Sequence, residues 1–98
     1  MTVVMTMDVA VSRADLEEVS ASLGTHENPP DGLIVHIATE TVDGVHVVDV
    51  WDSEAAFEKF RDDQLVPTMQ RFMAEHHMAP DTAPQPQLDE AFDVVRGR

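Results

Sequence analysis

The chain has 98 residues, which suffices for one small domain, and it contains no cysteine, so disulfides, thiolate catalysis and cysteine-ligated metal sites are excluded. Its 19 acidic residues against six Lys and Arg residues give a formal net charge of −13, which disfavours binding to nucleic acid or anionic membranes. No apolar run approaches the ~20 residues of a membrane span, and the N-terminal segment lacks the basic start of a secretory signal. We therefore expect a cytoplasmic location, which the absence of cysteine also suits.

The first elements in chain order are a strand and a helix. Apolar residues alternate over 3–9, a period of two that predicts a strand. Ser12 predicts a helix N-cap with Asp15 in the capping-box position, and Gly24 predicts its end. The apolar face of this helix comprises Leu16, Val19 and Leu23. A loop is predicted over 25–32, because it contains two adjacent prolines.

A hairpin and a bent helical segment follow. Strands over 33–41 and 45–51 flank Asp43-Gly44, which is a hairpin turn signal. Ser53 predicts the cap of the next helix, and Pro67 suits the first turn of a second helical piece over 65–77. The residues predicted to be buried are Ala56, Phe57, Phe60, Leu65, Met69, Phe72 and Met73.

The C-terminal part predicts a proline-rich connector over 79–87 and a short last strand over 91–96, with Phe92 and Val94 on one face. The order β-α-β-β-α-(α)-β is typical of the α+β, ferredoxin-like split βαβ fold: one domain over 1–98, with an antiparallel four-stranded sheet and helices on one face. Strands that are apolar on both faces imply a second cover, most simply another copy of the sheet.

The hairpin pattern predicts which side chains share a face of the sheet. A two-residue turn at Asp43-Gly44 places His36 opposite Trp51 and Ala38 opposite Asp49, whereas a three- or five-residue loop would reverse the faces. One face then carries Leu33, Val35, Ile37, Thr39, Val48 and Val50, with His46 near the turn. The other carries Ile34, His36, Ala38, Glu40, Val47, Asp49 and Trp51. Asp49, diagonal to His36, is within reach of a hydrogen bond that would select one tautomer and raise the basicity of the imidazole.

The stretch GLIVHIATETVDGVHVVDVWDSEAAFEKF, followed by LVPTMQRFM, resembles the dimeric α/β-barrel superfamily, and within it the antibiotic-biosynthesis-monooxygenase-like (ABM-like) branch. The most specific piece is VVDVWDSEAAFEKF, a strand ending in Trp followed by an acidic residue, a capping Ser and Ala-Phe. The resemblance implies a homodimer in which two sheets form a barrel. It also implies a cleft between the sheet and the helices of each subunit, with Trp51 pointing toward it.

Two activities of the superfamily depend on residues whose positions can be matched to this chain. The quinone-forming monooxygenases use neither metal nor flavin, so the resemblance implies no cofactor. Of their Asn, Trp, Tyr and Arg, the Trp corresponds to Trp51 and the Arg to Arg71, whereas Val47 and Phe57 replace the Asn and the Tyr. The haem-degrading branch fits poorly, because Phe60 and a position near Gln70 replace its Trp and His and the first strand has no Asn.

Each candidate residue has a functional and a structural interpretation. His36 is a candidate general base near neutral pH, or a hydrogen-bonded histidine of the core or a dimer interface. Asp49 would orient His36, or bond to neighbouring backbone or water. Trp51 would stack on a planar ligand, or fill the core. The candidate walls of an apolar pocket, otherwise core residues, are Phe57, Phe60, Met69 and Phe72. Arg71 would pair with an anionic substrate group, or lie on a solvated helix face.

No metal site is predicted, since His26, His46 and Glu40 have no spacing typical of one. The leading hypothesis is a homodimeric ABM-like monooxygenase or isomerase that acts on an aromatic or polyketide-like molecule. The alternatives are a non-catalytic domain that binds a small apolar or aromatic ligand, and a dimerisation module without a ligand. Fold alone does not choose among them.

Overall fold

The computed structural model describes residues 1–78 and 85–98. Its elements are β1 (Val3–Val9), α1 (Arg13–Leu23), β2 (Leu33–Thr41), β3 (Gly44–Trp51), α2 (Glu54–Phe60), a π-helical turn (Arg61–Leu65), α3 (Val66–Glu75) and β4 (Gln87–Glu90). The strands form one sheet in the order β2-β3-β1-β4, and all neighbours are antiparallel. The predicted α+β, ferredoxin-like fold is therefore confirmed. The first six residues of the predicted connector over 79–87 lie outside the described residues.

The predicted helix caps form as expected. Ser12 Oγ accepts a hydrogen bond from the backbone N–H of Asp15 at 3.1 Å, and Gly24 ends α1 in the left-handed conformation, φ 68°. Ser53 Oγ accepts from the backbone N–H of Ala56 at 3.1 Å, which fixes the start of α2 directly after β3. These caps satisfy backbone groups that helix ends leave unpaired.

A π-helical turn, Arg61–Leu65, stands where the sequence predicts a bend between the last two helices. Pro67 has no N–H to donate, so the regular hydrogen-bond pattern cannot continue through it. One residue earlier, the N–H of Val66 bonds to the carbonyl of Arg61, five residues back. This wider turn lets α2 run on into α3 without a loop.

The hairpin register differs from the predicted one by two residues. Thr41 pairs with Gly44 and His36 pairs with Asp49, so the turn is Val42-Asp43 and the predicted pairing of His36 with Trp51 is wrong. Gly44 is the first residue of β3. Glycine is required there because its φ is 151° and because a Cβ would lie 2.2 Å from the carbonyl oxygen of Val9. A two-residue shift preserves the faces, because strand side chains alternate with period two.

A bulge near the start of β2 corrects one further assignment. The pairing is irregular between Leu33 and Val35, and Leu33 pairs with Trp51. Leu33 therefore packs against the helix-side core, whereas strict alternation predicts the opposite face.

The predicted last strand over 91–96 is also wrong, since β4 occupies 87–90. Leu88 pairs with Met5 and packs against the core, and the ladder ends where Glu90 meets Val3 at the start of β1. One residue further, the N–H of Ala91 donates to the carbonyl of Thr2 at 2.9 Å, and Phe92 after it is fully exposed.

The two faces of the sheet have different surroundings. On the helix side, the buried apolar residues from the sheet are Val3, Met5, Met7, Val9, Val45, Val47 and Trp51. The opposite face is also apolar but open: Val35 is 41% exposed and Ile37 is 48% exposed, beside the half-buried Val4, Val48 and Val50. The expectation that both faces are apolar is thus confirmed.

Candidate functional site

A cavity of about 400 Å³ lies between the helix-side face of the sheet and α1 with the loop that follows it. Its floor is formed by β1, β2 and β3, and its far end by Phe60, Leu65 and Met69. The residues contributed by α1 and its loop are Leu16, Val19, Ser20, Leu23, Thr25, His26, Pro29 and Pro30. The volume is in the range of small-molecule sites, and the lining is mainly apolar, as such sites usually are.

The floor of this cavity carries a polar pair, which is formed by His36 and Asp49. They lie directly opposite each other on β2 and β3, and His36 Nδ1 is 2.6 Å from Asp49 Oδ1. The predicted hydrogen bond is confirmed, although the two residues are opposite rather than diagonal. Asp49 is buried and His36 is partly exposed. The hydrogen bond to Asp49, aided by its negative charge, raises the pKa of His36 above its usual value, although burial opposes the shift.

This pair has a defined direction. When Asp49 is ionised and the His36 ring is neutral, Nδ1 carries the ring proton and donates a hydrogen bond to Oδ1 of Asp49. Nε2 of His36 then keeps its lone pair. Asp49 is held in place on β3, the central strand between β1 and β2. The arrangement therefore presents a fixed imidazole with a free basic nitrogen.

Trp51 ends β3 at the wall of the same cavity, and its side chain is fully buried. The centre of its ring lies 5.8 Å from that of Phe57, which it meets edge-on, and 5.4 Å from that of Phe60, which is tilted against it. Among the described residues, its indole Nε1 is buried without a hydrogen-bond partner. A buried donor left unpaired carries a free-energy cost.

The structure brings five of the eight predicted site residues together. His36, Asp49, Trp51, Phe60 and Met69 all line the cavity. This result depends on the preserved faces of the hairpin and on the way α2 begins directly after β3.

The other three predicted site residues lie elsewhere. Phe57 is fully buried against Trp51, and the guanidinium of Arg61 lies 5.8 Å from its ring centre. The rings of Phe72 and His76 lie against each other with their centres 4.2 Å apart. Nη2 of Arg71 donates a hydrogen bond to Thr68 Oγ1 at 3.4 Å. Phe72 and Arg71 border a separate cavity of about 300 Å³ between α1 and α3. None of the three lines the cavity that contains His36.

Sequence reasoning missed the contribution of the loop after α1. His26, Pro29 and Pro30 line the cavity, whereas the sequence pattern of the two prolines predicts only an interruption of regular structure. Gly24 turns the chain at the end of α1, and Pro30 accepts a hydrogen bond from the N–H of Leu33 at 3.2 Å. The sequence signal that indicates this contribution is a loop with two prolines directly after a helix that has an apolar face.

Within residues 1–78 and 85–98, no group of three or more His, Asp or Glu side chains could hold a metal ion. In the same ranges, no helix has the length and hydrophobicity needed to cross a bilayer.

The sequence matches no protein-family model and no curated protein. Several solved structures share its fold. A protein from Deinococcus radiodurans proposed to be an antibiotic biosynthesis monooxygenase is 11% identical, with a TM-score of 0.63 over 100% of this chain and 99% of that chain. SnoaB, a cofactor-independent oxygenase from Streptomyces nogalater, is 19% identical, with a TM-score of 0.60 over 98% of this chain and 96% of that chain.

A protein of unknown function from Nitrosomonas europaea has a TM-score of 0.65 at 17% identity, over 99% of this chain and 94% of that chain. The matches extend over nearly the full length on both sides. At these identities they establish the fold, and the resemblance to ABM-like proteins seen in the sequence is confirmed at that level.

Proposed function

We propose that this chain forms a homodimer whose subunits each bind a small aromatic or polyketide-like molecule, and that it oxidises or isomerises this molecule without a cofactor. The observation that supports the proposal is the His36–Asp49 hydrogen bond of 2.6 Å in the wall of an apolar cavity beside Trp51. A small apolar cavity suits a planar ring system, and the fixed imidazole suits proton abstraction.

In the proposed reaction, Nε2 of His36 takes a proton from an activated CH₂ group of the substrate. The resulting carbanion transfers its electrons to O₂ and forms a C–O bond. The proton returns from His36 to give a hydroperoxide, and loss of water leaves a carbonyl, so R₂CH₂ and O₂ become R₂C=O and H₂O. The protein supplies orientation, desolvation and a base. In an isomerase, the same proton would return to a different carbon.

The homodimer is proposed because of the open face of the sheet. Val35 and Ile37 are 41% and 48% exposed, and they continue a surface formed by the half-buried valines of β1 and β3. A contiguous exposed apolar surface on a soluble domain marks an interaction site. A second copy of the same sheet would cover it and complete the barrel that the sequence resemblance implies.

A non-catalytic binding protein is the second candidate. The quinone-forming monooxygenases that the sequence resembles have an Asn and a Tyr at the positions of Val47 and Phe57. Val47 lines the cavity and offers no hydrogen bond, and Phe57 lies fully buried against Trp51. The cavity thus keeps the shape of a ligand site with fewer polar groups than that mechanism uses.

An oxygen-uptake assay with anthrone, a tricyclic ketone with an acidic CH₂ group, separates the two candidates. We expect the protein to accelerate quinone formation over buffer, and His36→Ala to lower turnover at least about tenfold, since general bases contribute 10²–10⁴-fold. His77→Ala is the matched control, because His77 is exposed and does not line the cavity. An unchanged rate in His36→Ala would remove His36 from the mechanism. Anthrone binding without acceleration would support the second candidate.

A further inference from the structure

The cavity that contains His36 has a second imidazole in its lining. His26 belongs to the loop after α1, whereas His36 and Asp49 stand on the sheet that forms the floor. Among the described residues that line this cavity, these three are the ones with an acidic or basic side chain. Asp49 is bound to Nδ1 of His36, so His26 is the remaining acid–base group of the cavity. The reaction proposed above gives it no task.

The backbone around His26 is held on both sides. Gly24 starts a turn in the left-handed conformation, and its carbonyl accepts a hydrogen bond from the N–H of Asn28 at 3.0 Å, which closes the turn around His26. Pro29 and Pro30 follow, and their rings restrict the chain further. The side chain of His26 is exposed and forms no ion pair with any of the described residues. It therefore borders the cavity and also exchanges protons with water.

The proposed oxidation contains a step for which one imidazole does not suffice. Once the hydroperoxide R₂CH–OOH has formed, loss of water breaks its O–O bond, and the departing oxygen needs a proton to leave as water. The remaining C–H proton must be removed in the same step, so that its electron pair can form the carbonyl. His36 has one free nitrogen, Nε2, which cannot accept the C–H proton and protonate the departing oxygen at once. The step therefore calls for a separate acid.

We infer that His26 is the general acid of this second step. In its imidazolium form it gives a proton to the distal oxygen of the hydroperoxide as the O–O bond breaks, and that oxygen leaves as water with the O–O electron pair. Nε2 of His36 takes the C–H proton, and the C–H electrons become the second bond of the carbonyl. The proton then passes from His36 through water to His26, so R₂CH–OOH becomes R₂C=O and H₂O and both residues are restored. The inference rests on the proposed function, because it adds a second residue to the same reaction.

The test follows the two proton transfers separately, with anthrone as the substrate. Exchange of its CH₂ protons for deuterium in oxygen-free D₂O reports the first abstraction, and quinone formation in air reports the second step. We expect His26→Ala to catalyse exchange like wild type, but to form quinone at least about tenfold more slowly and to accumulate the hydroperoxide, since acid–base groups contribute about 10²–10⁴-fold. His36→Ala should already lose the exchange.

Two controls distinguish an acid from a structural role. Imidazole added to the buffer should restore quinone formation in His26→Ala, because the side chain it replaces is exposed and the site is open to solutes. His77→Ala removes an exposed histidine outside the cavity and should match wild type in both measurements.

The outcomes separate this inference from the proposed function. Quinone formation at the wild-type rate in His26→Ala would overturn the inference and leave the proposed function standing. The same holds for a loss that extends to the exchange step or that imidazole does not restore, because it would show that His26 only shapes the cavity. A wild type that does not accelerate quinone formation would contradict the proposed oxidation itself, and the inference with it.

Discussion

The polar chemistry of this protein is concentrated in one residue pair. Asp49 lies buried on a central strand, where an isolated carboxylate would be costly, and its hydrogen bond to His36 offsets part of that cost. His36 in turn loses rotational freedom and one of its two nitrogens to the carboxylate. The pair therefore stabilises the sheet and at the same time prepares a nitrogen for proton transfer, so its two roles are not exclusive.

The His36–Asp49 hydrogen bond predicts a specific titration behaviour. Because this bond raises the pKa of His36, we expect its ring protons to titrate in NMR with a midpoint above the ordinary 6.5. In Asp49→Asn the midpoint should fall, since the charge-assisted hydrogen bond is lost. An unchanged midpoint in Asp49→Asn would show that another group controls His36.

The same pKa shift has a consequence for stability, with a defined sign. A raised folded-state pKa stabilises the fold fully below the unfolded value of 6.5, and this contribution is lost as the pH rises through the folded-state pKa. The difference in unfolding free energy between wild type and His36→Gln should therefore narrow from pH 6 to pH 9. Urea denaturation at both pH values measures it.

At the scale of elements, the β2–β3 hairpin determines whether the site exists. Its turn is Val42-Asp43, because Gly44 is needed in β3 where the end of β1 passes close to it. The site survives this shift since two residues is a full period of the strand. A shift of one residue between the two strands would have turned His36 to the open face and separated it from Asp49 and from the cavity.

Gly44→Ala tests the account of the hairpin. A Cβ at this position would lie 2.2 Å from the carbonyl oxygen of Val9, at a φ of 151° that side chains rarely adopt. We expect a loss of about 2 kcal/mol in the free energy of unfolding, in the range typical of backbone strain. Gly97→Ala is the control, because a Cβ there meets nothing within 4 Å. Equal unfolding midpoints of the two variants in urea would contradict the close approach.

At the scale of the whole molecule, an apolar face and a high negative charge act in opposite directions. The open side of the sheet favours association, whereas a net charge of −13 on each chain disfavours it. Burial of apolar surface acts at short range, and salt screens the repulsion between distant charges. The proposed dimer therefore requires close packing of the two sheets.

Ile37→Asp tests this packing. Ile37 is 48% exposed in the middle of the open face, and a buried aspartate without a partner would oppose association strongly. We expect analytical ultracentrifugation to find a dimer for wild type and a monomer for Ile37→Asp. Val42→Asp, in the fully exposed turn, adds the same charge and should remain dimeric. A wild type that is monomeric at micromolar concentration would contradict the dimer itself.

The sequence by itself determined the fold class, every element except the last strand, and the faces of the hairpin residues beyond the bulge at Leu33. Periodicity and capping are local properties, so they can be read without knowing what packs where. The grouping of His36, Asp49 and Trp51 was predictable for this reason, because alternation is unaffected by an even shift of register.

Only the tertiary structure decided the pairs within that face, the bulge at Leu33, the position of β4 and the contribution of the loop after α1 to the cavity. Each depends on a contact between segments distant in sequence, such as Gly44 with Val9 or Leu88 with Met5. The same holds for the placement of Phe57, Phe72 and Arg71 outside the cavity, which helix packing determines. Local patterns specify which side of an element is apolar, but not which neighbour covers it.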